Sequence, residues 1–455
     1  MRNFKYLKIL YWFSLLALSF FSHSQNLLDS DEGIILEGAW NMINGKELYK
    51  DFFEFVTPGS FYFIYLIWKI FYPSYWIAKI ASLFLFWGTS FFIFKISNEI
   101  KKSFYNYLPP LIFVISSFCW PIINHNAYNL FFLTFSSFVF IKGLRTNNKI
   151  NFIASGFLAS LSIMFLQQKG LALTGTMTIY LLLLFFYEKN KQRLKQIFWF
   201  LSFCFLPLTL LFLKWPTQLL YENLINFALQ NYIEVNKTPY GIFIFFLILN
   251  ILIAIILKKQ KNKKIYFLLL LQFGLLLTTL ARPDRYHVLL IIFPIYSLLP
   301  ILLEKIITIK SWVKYLYLTF IVITIFLIVY PFLLFIYFNP PSSTKEKTLE
   351  ITKFIKENCP EKNDLFAAPF IPGLYFETRK LNFTPYYLLM TGLQNEEIFN
   401  EVKNLIEINQ PQCIVMNYQI VEKFNYSKDN PVDKYITENY QLQTKIQNDL
   451  IFIKQ

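Results

Sequence analysis

The chain of 455 residues is 55% hydrophobic, 20% aromatic and only 16% charged, whereas soluble domains need about a quarter charged residues to cover a water-facing surface. Its net charge of +15 would suit a nucleic-acid binder, but residues 338–455 carry 13 Lys/Arg against 15 Asp/Glu. The excess therefore sits in short clusters between apolar blocks, which is the pattern of cytoplasmic loops in a membrane protein and excludes nucleic acid as the partner.

The blocks run to roughly 16–25 residues, long enough to cross a bilayer core as helices. Lys5 and Lys8 frame the start of an apolar run from Leu7 to Phe21, followed by Ser22-His23-Ser24. A cleaved signal peptide shares this layout; we read a retained anchor running outward through about residue 23. Residues 24–57 form a long non-apolar external loop. Ser60–Phe71 is apolar but only about a dozen residues long, which suits an interfacial helix better than a span.

Tyr75–Ile96 returns to the Lys101-Lys102 cluster. Tyr107–Ile123 then runs out and Tyr128–Ile141 in, the latter short unless it extends through Lys142. Phe152–Leu166 runs out, Leu171–Tyr187 in and Ile197–Leu213 out, before an external stretch of mixed polarity over 215–239. Tyr240–Leu257 runs in, Ile265–Leu280 out, Val288–Leu303 in and Trp312–Phe338 out. On this path Lys95–Lys102, Lys142–Lys149, Lys189–Lys195, Lys258–Lys264 and Lys305–Lys314 all fall on one side. The expected architecture is an all-α polytopic bundle of about eleven transmembrane helices over residues 1–338, with the first external loop at 24–75 and the N-terminus cytoplasmic.

Asn339-Pro340-Pro341 marks a boundary, because Pro-Pro cannot continue a helix. Beyond it, 345–357 reads as an amphipathic helix and Leu365–Pro369 and Cys413–Met416 as short buried strands. Glu396–Ile408 reads as a helix, and Tyr440–Ile453 carries two strand-like runs. Residues 339–455 are thus expected to form a small α/β domain outside the cytoplasm. They contain no Gly-rich phosphate loop, zinc spacing or nucleophile elbow. The four cysteines, Cys119, Cys204, Cys359 and Cys413, offer no metal motif, and their spacing alone does not decide whether Cys359 and Cys413 pair.

The first external loop holds the densest polar pattern. It reads Asp29-Ser30-Asp31-Glu32-Gly33, then Glu37-Gly38-Ala39-Trp40, then Asn44 to Glu54 with Tyr49, Asp51 and Glu54, and ends Thr57-Pro58-Gly59. This order resembles the polyprenyl-phosphate-dependent glycosyltransferases of the GT-C type, particularly the protein mannosyltransferase and aminoarabinose transferase relatives (glycosyltransferase family 39-like). In those proteins an acidic pair follows the first helix, and a Tyr, an acid and a Pro-Gly or Pro-Pro turn come after it. The resemblance extends to the span count and the external C-terminal domain. It implies transfer of a sugar from a polyprenyl-phosphate donor to an acceptor hydroxyl, with inversion. It also maps the catalytic acid onto Asp31, with Glu32 as its neighbour. Chemistry asks for such a group independently, since the attacking hydroxyl needs a base. Asp29, Ser30 and Asp31 are equally suited to capping a helix over Glu32–Met42.

The leaving phosphate needs fixed cations. Gln167-Gln168-Lys169-Gly170 places Lys169 outside, against the positive-inside trend, and relatives show a Lys-Gln-Gly type turn here. Ala281-Arg282-Pro283-Asp284-Arg285-Tyr286-His287 crowds two arginines, an acid and a histidine between two spans, similar to a late loop of the family. Lys169, Arg282 and Arg285 are therefore the expected phosphate ligands. Asp51, Glu54, His125 and His287 are candidate substrate contacts. Some relatives carry a second acid near His125, which this chain lacks, so a divalent metal stays open and no ligand set is assigned. Glycan, lipid and protein acceptors are equally compatible, in a bilayer expected to be a bacterial inner membrane. A transporter or flippase of lipid-linked glycans would place ionisable residues in mid-span, and these are nearly absent. A surface-polysaccharide polymerase or ligase would need a large late loop.

Overall fold

The computed structural model describes residues 2–24, 30–117, 121–232, 239–260, 262–307, 315, 319, 322, 323, 326, 330, 341–361, 365–422 and 424–454. In chain order the helices are α1 (Arg2–Ser24), α2 (Ser30–Ile43), α3 (Gly59–Ile70), α4 (Tyr75–Ile100), α5 (Leu108–Ser116), α6 (His125–Thr146), α7 (Lys149–Phe165), α8 (Gln167–Glu188), α9 (Gln192–Lys214), α10 (Thr217–Tyr221), α11 (Gly241–Leu257), α12 (Lys263–Leu277), α13 (Arg285–Ile291), α14 (Phe293–Ile307), α15 (Pro341–Asn358), α16 (Gly373–Thr378), α17 (Glu396–Asn409), α18 (Gln419–Glu422) and α19 (Pro431–Asn439). The strands are β1 (Leu365–Ala368), β2 (Cys413–Met416), β3 (Tyr440–Ile446) and β4 (Asp449–Lys454). The chain divides into two compact units. One comprises Met1–Ser24, Lys79–Trp215 and Thr238–Asn339, and the other Gln25–Ala78, Pro216–Lys237 and Pro340–Gln455. Residues 25–78 thus belong to the same unit as the C-terminal segment.

In the first unit α4, α6, α8 and α9 are long and apolar enough to cross a membrane, while α7 and α11 are shorter apolar helices. The expected span at Tyr128–Ile141 does extend, from His125 to Thr146. The span expected at Val288–Leu303 is made of two helices: α13 and α14 meet at a 60° bend. Pro294 explains the break, since proline has no N–H to give to the preceding turn and crowds the backbone before it. The span expected at Tyr107–Ile123 is helical as far as Ser116, and 118–120 lie outside the described residues. Most of Trp312–Phe338 lies outside them as well, as do Asp29 and Cys119.

Small side chains let the helices of this unit approach closely, as lipid-embedded packing requires. A Cβ on Gly156 would lie 2.1 Å from the Phe200 carbonyl oxygen, so α7 and α9 touch backbone to backbone. Buried amides and hydroxyls stitch the same region. Asn129 donates to the Ser162 carbonyl at 2.6 Å, and Ser136 to the Ser155 carbonyl at 2.8 Å. Ion pairs gather the helix ends that carry the basic clusters. Glu99 meets Arg145 at 3.2 Å and Lys264 at 3.4 Å, Glu188 meets Arg193 at 2.9 Å and also Lys263, and Glu304 meets Lys101. The ends of α4, α6, α8 and α14 and the starts of α9 and α12 therefore lie at one end of this unit.

The second unit contains a four-stranded sheet in the order β1-β2-β4-β3, with β1 and β2 parallel and the other pairings antiparallel. Alternation along the strands sends Phe366, Ala368, Ile414 and Met416 to one core with α17 and α19. Leu365, Ala367, Cys413 and Val415 go to the other, with Ile351 and Ile355 of α15. Burial on both faces is why LFAA and CIVM read as continuous apolar runs. Cys359 at the end of α15 forms a disulfide with Cys413 of β2. The helices expected at 345–357 and Glu396–Ile408 and all four strand-like runs are present. The short helices α16, α18 and α19 were not expected.

Candidate active site

α2 begins with Ser30-Asp31-Glu32, so its first turn carries two acids where the helix dipole favours negative charge. Asp31 is half-buried. Glu32 is buried, and its Oε2 accepts a hydrogen bond from the Tyr75 hydroxyl at 2.9 Å. One and a half turns on, Glu37 is 2% exposed and accepts from Asn382 Nδ2 at 3.0 Å. Glu54, 1% exposed, accepts from the backbone N–H groups of Phe55 at 2.8 Å and Val56 at 3.3 Å, and more weakly from the Tyr387 hydroxyl at 3.4 Å.

Among the described residues, Glu37 Oε2, Glu54 Oε2 and Asn41 Oδ1 have no hydrogen-bond partner. Glu37, Asn41, Glu54, Asn382 and Tyr387 line one cavity, in which water centres have about 10 Å³, room for a single water. Burial pushes both carboxyls up to about 8, against the lowering effect of the bonds each accepts. Asp51, by contrast, is exposed and accepts from the Glu47 backbone N–H at 2.6 Å, closing its own turn.

The segment Lys380–Tyr387 is what builds this pocket from the C-terminal side. Trp40 Nε1 donates to the Lys380 carbonyl at 2.8 Å, the Phe53 N–H to the Pro385 carbonyl at 2.8 Å, and Lys46 to the Asn382 carbonyl. A Cβ on Gly33 would lie 2.5 Å from the Gly373 backbone nitrogen, so only glycine lets α2 approach α16 this closely.

A second polar cluster lies within the first unit. Asn124 caps α6 by accepting from the Asn126 N–H at 2.8 Å. Lys169, in the first turn of α8, is buried and donates to Asn126 Oδ1 at 2.6 Å. Asp284 caps α13 by accepting from the His287 N–H at 3.0 Å; it also pairs with Arg282 Nε at 2.8 Å and with His287 Nδ1 at 2.9 Å. Burial would raise the Asp284 carboxyl, but the hydrogen bonds and charge of His287, together with the charge of Arg282, hold it down to about 2. Asp284 also lies within electrostatic reach of Lys169. Asp284 thus faces Arg282 and His287 directly and Lys169 at longer range. Arg285 is the first residue of α13 and half-buried, and His125 opens α6.

Sequence reasoning missed Glu37, Asn41, Asn126, Asn382, Tyr387 and the Tyr75–Glu32 bond. Glu37 had one readable signal, as an acid set between Ile35-Leu36 and Gly38-Ala39 on a face that must be buried. Among the described residues no group of three or more His, Cys, Asp or Glu side chains is arranged to hold a metal ion.

The fold is shared with ArnT and an archaeal oligosaccharyltransferase, both of them GT-C glycosyltransferases and polytopic membrane proteins. The chain superposes on ArnT from Cupriavidus metallidurans bound to undecaprenyl phosphate with TM-score 0.64 at 12% identity, covering 98% of this chain and 97% of that one. The apo state of the same protein gives 0.62 at 12% identity, covering 99% and 98%. The Archaeoglobus fulgidus oligosaccharyltransferase gives 0.59 at 9%, covering 96% of this chain and 73% of that one. No family model and no curated protein matches the sequence.

Proposed function

We propose that this chain is a membrane glycosyltransferase that moves a sugar from a polyprenyl-phosphate donor to a glycan, lipid or protein hydroxyl outside the cytoplasm. One observation carries the reading: the GT-C fold runs over nearly the whole chain, and one of the proteins that shares it was solved with undecaprenyl phosphate. In the reaction the acceptor oxygen attacks the anomeric carbon as the bond to the phosphate oxygen breaks, which inverts the centre. Asp31 takes the acceptor's proton. Glu32 is less suited, being buried with its carboxylate held by Tyr75. Lys169, Arg282 and Arg285 meet the departing phosphate, where charge develops and fixed cations are most effective. His287 orients Asp284 against Arg282.

About eleven spans, a cytoplasmic N-terminus and an external C-terminal domain complete the proposal, in a bacterial inner membrane. Its support is the gathering of the basic helix ends at one end of their unit, and a disulfide that suits an oxidising compartment.

The test is transfer by purified protein in lipid, with radiolabelled polyprenyl-phosphate sugars and cell-envelope acceptors. Asp31→Asn is expected to lower turnover about 100- to 10,000-fold with donor binding intact. Lys169→Ala with Arg282→Ala is expected to weaken donor binding and turnover together. Normal transfer by Asp31→Asn would move the base to another acid. Movement of labelled lipid across the bilayer without transfer would replace the enzyme reading with a flippase.

A further inference from the structure

α3 buries one face and leaves the other bare. On the helix Phe61, Ile64 and Trp68 are buried whereas Leu66 and Ile70 are 52% and 74% exposed; just beyond its end Phe71 and Tyr72 are 68% and 63% exposed, and Trp76 follows at 45%. Isolated apolar residues on a surface are ordinary, but a run of this size marks a contact. Trp76 belongs to α4, whose 26 residues are apolar enough to enter a membrane at this corner. Tyr65, Tyr72, Tyr75 and Trp76 are the side chains that favour the headgroup level.

A cation is fixed at the same corner. Arg379, from the C-terminal segment, donates through Nη2 to the Pro73 carbonyl between α3 and α4 at 2.9 Å. Its guanidinium lies 4.4 Å over the Phe376 ring and 5.1 Å over Trp40. Phe376 in turn stacks on Trp68 of α3 at 4.7 Å. The side chain is exposed yet pre-ordered by rings and a hydrogen bond, which lowers the entropy lost when it meets an anion. Lys69, exposed at the end of α3, adds a second positive charge. Glu377 lies within electrostatic reach of Arg379, and burial pushes its carboxyl up toward the neutral form.

We propose that the α3–α4 corner, with Arg379 set on it, is a docking surface for anionic phospholipids of the leaflet that α4 enters. The apolar side chains sink among the acyl chains, and Arg379 and Lys69 take headgroup phosphate. The C-terminal domain is thereby fastened to the membrane surface through a residue of its own. This rests on the membrane reading of α4 and not on any step of sugar transfer.

The test uses the full chain in nanodiscs of phosphatidylethanolamine with a minority of radiolabelled phosphatidylglycerol, and a photo-crosslinking benzoylphenylalanine at Phe71. The same probe at Ile408, 77% exposed on α17, is the water-facing control. Labelled lipid is expected on the Phe71 probe and not on the control. Arg379→Gln should cut that yield about fivefold, the factor expected of one basic residue at an anionic surface, and Arg379→Lys should restore only part of it, since lysine keeps the charge and loses the stacked, pre-ordered guanidinium. Equal yields at the two probes would overturn the proposal, as would a protein–protein adduct at Phe71. An unchanged yield in Arg379→Gln would remove the headgroup role.

Discussion

Glu37 and Glu54 are held by the fold against their own charge. Each has one oxygen without a hydrogen-bond partner among the described residues, in a cavity that fits one water, and each carboxyl is raised from its ordinary 4.5 to about 8. An acid raised in this way binds more protons folded than unfolded between those two values. Stability is therefore expected to fall as pH rises from about 4.5 to about 8, with the loss complete above it. Glu37→Gln should remove part of that slope and raise the melting temperature at alkaline pH, because a neutral amide has no charge to bury and supplies donors beside Asn41 Oδ1. Melting curves across the pH range read this directly, and a flat profile for the wild type would contradict it. Such residues were only half legible beforehand. Asp31, Lys169 and Arg282 could be named from a linear pattern, but Glu37 acquires its character from Asn382, 345 positions away. No local spacing encodes that contact.

Among elements, the approach of α7 to α8 sets where Lys169 stands. A Cβ on Gly170 would lie 2.4 Å from the Ile163 nitrogen and 2.5 Å from its Cα, and backbone cannot step aside as a side chain can. Gly170→Ala is expected to destabilise the protein by about 1–3 kcal/mol. It should also draw Lys169 off Asn126, so that transfer falls by more than the loss of folded protein accounts for. Turnover per folded molecule, with the folded fraction measured by thermal melting in lipid, separates the two effects. Most elements were readable because the physics that makes them is local. Twenty-odd apolar residues, a Pro-Pro boundary and alternating LFAA or CIVM runs each declare their structure. The bend at Ile292 was missed although Pro294 stood in plain view, because hydropathy runs unbroken through Val288–Leu303 and masks the lost hydrogen bond. α16 and α19 are short, and their identity comes from the sheet and helices they cover.

At the scale of the whole molecule, the Cys359–Cys413 disulfide links two ends of a segment 54 residues apart. Closing a loop of that length restricts the unfolded chain enough to stabilise the folded domain by about 4 kcal/mol in the chain-entropy account. Cys359→Ser with Cys413→Ser should therefore lower the domain's melting temperature and raise its sensitivity to protease, with the rest of the chain retained in the membrane. The same pair reports which way the protein faces. Cytosolic thiols are kept reduced, whereas those outside oxidise. Intact cells treated with an alkylating reagent, then denatured, reduced and treated with a heavier one, should carry the heavier label on Cys359 and Cys413. The lighter label on both would mean that the domain sits in the cytoplasm and that the inside–outside path drawn from the lysines is inverted. Asp31 and the first loop would then face cytoplasmic donors, and the proposal of transfer outside the cell would fall with the topology.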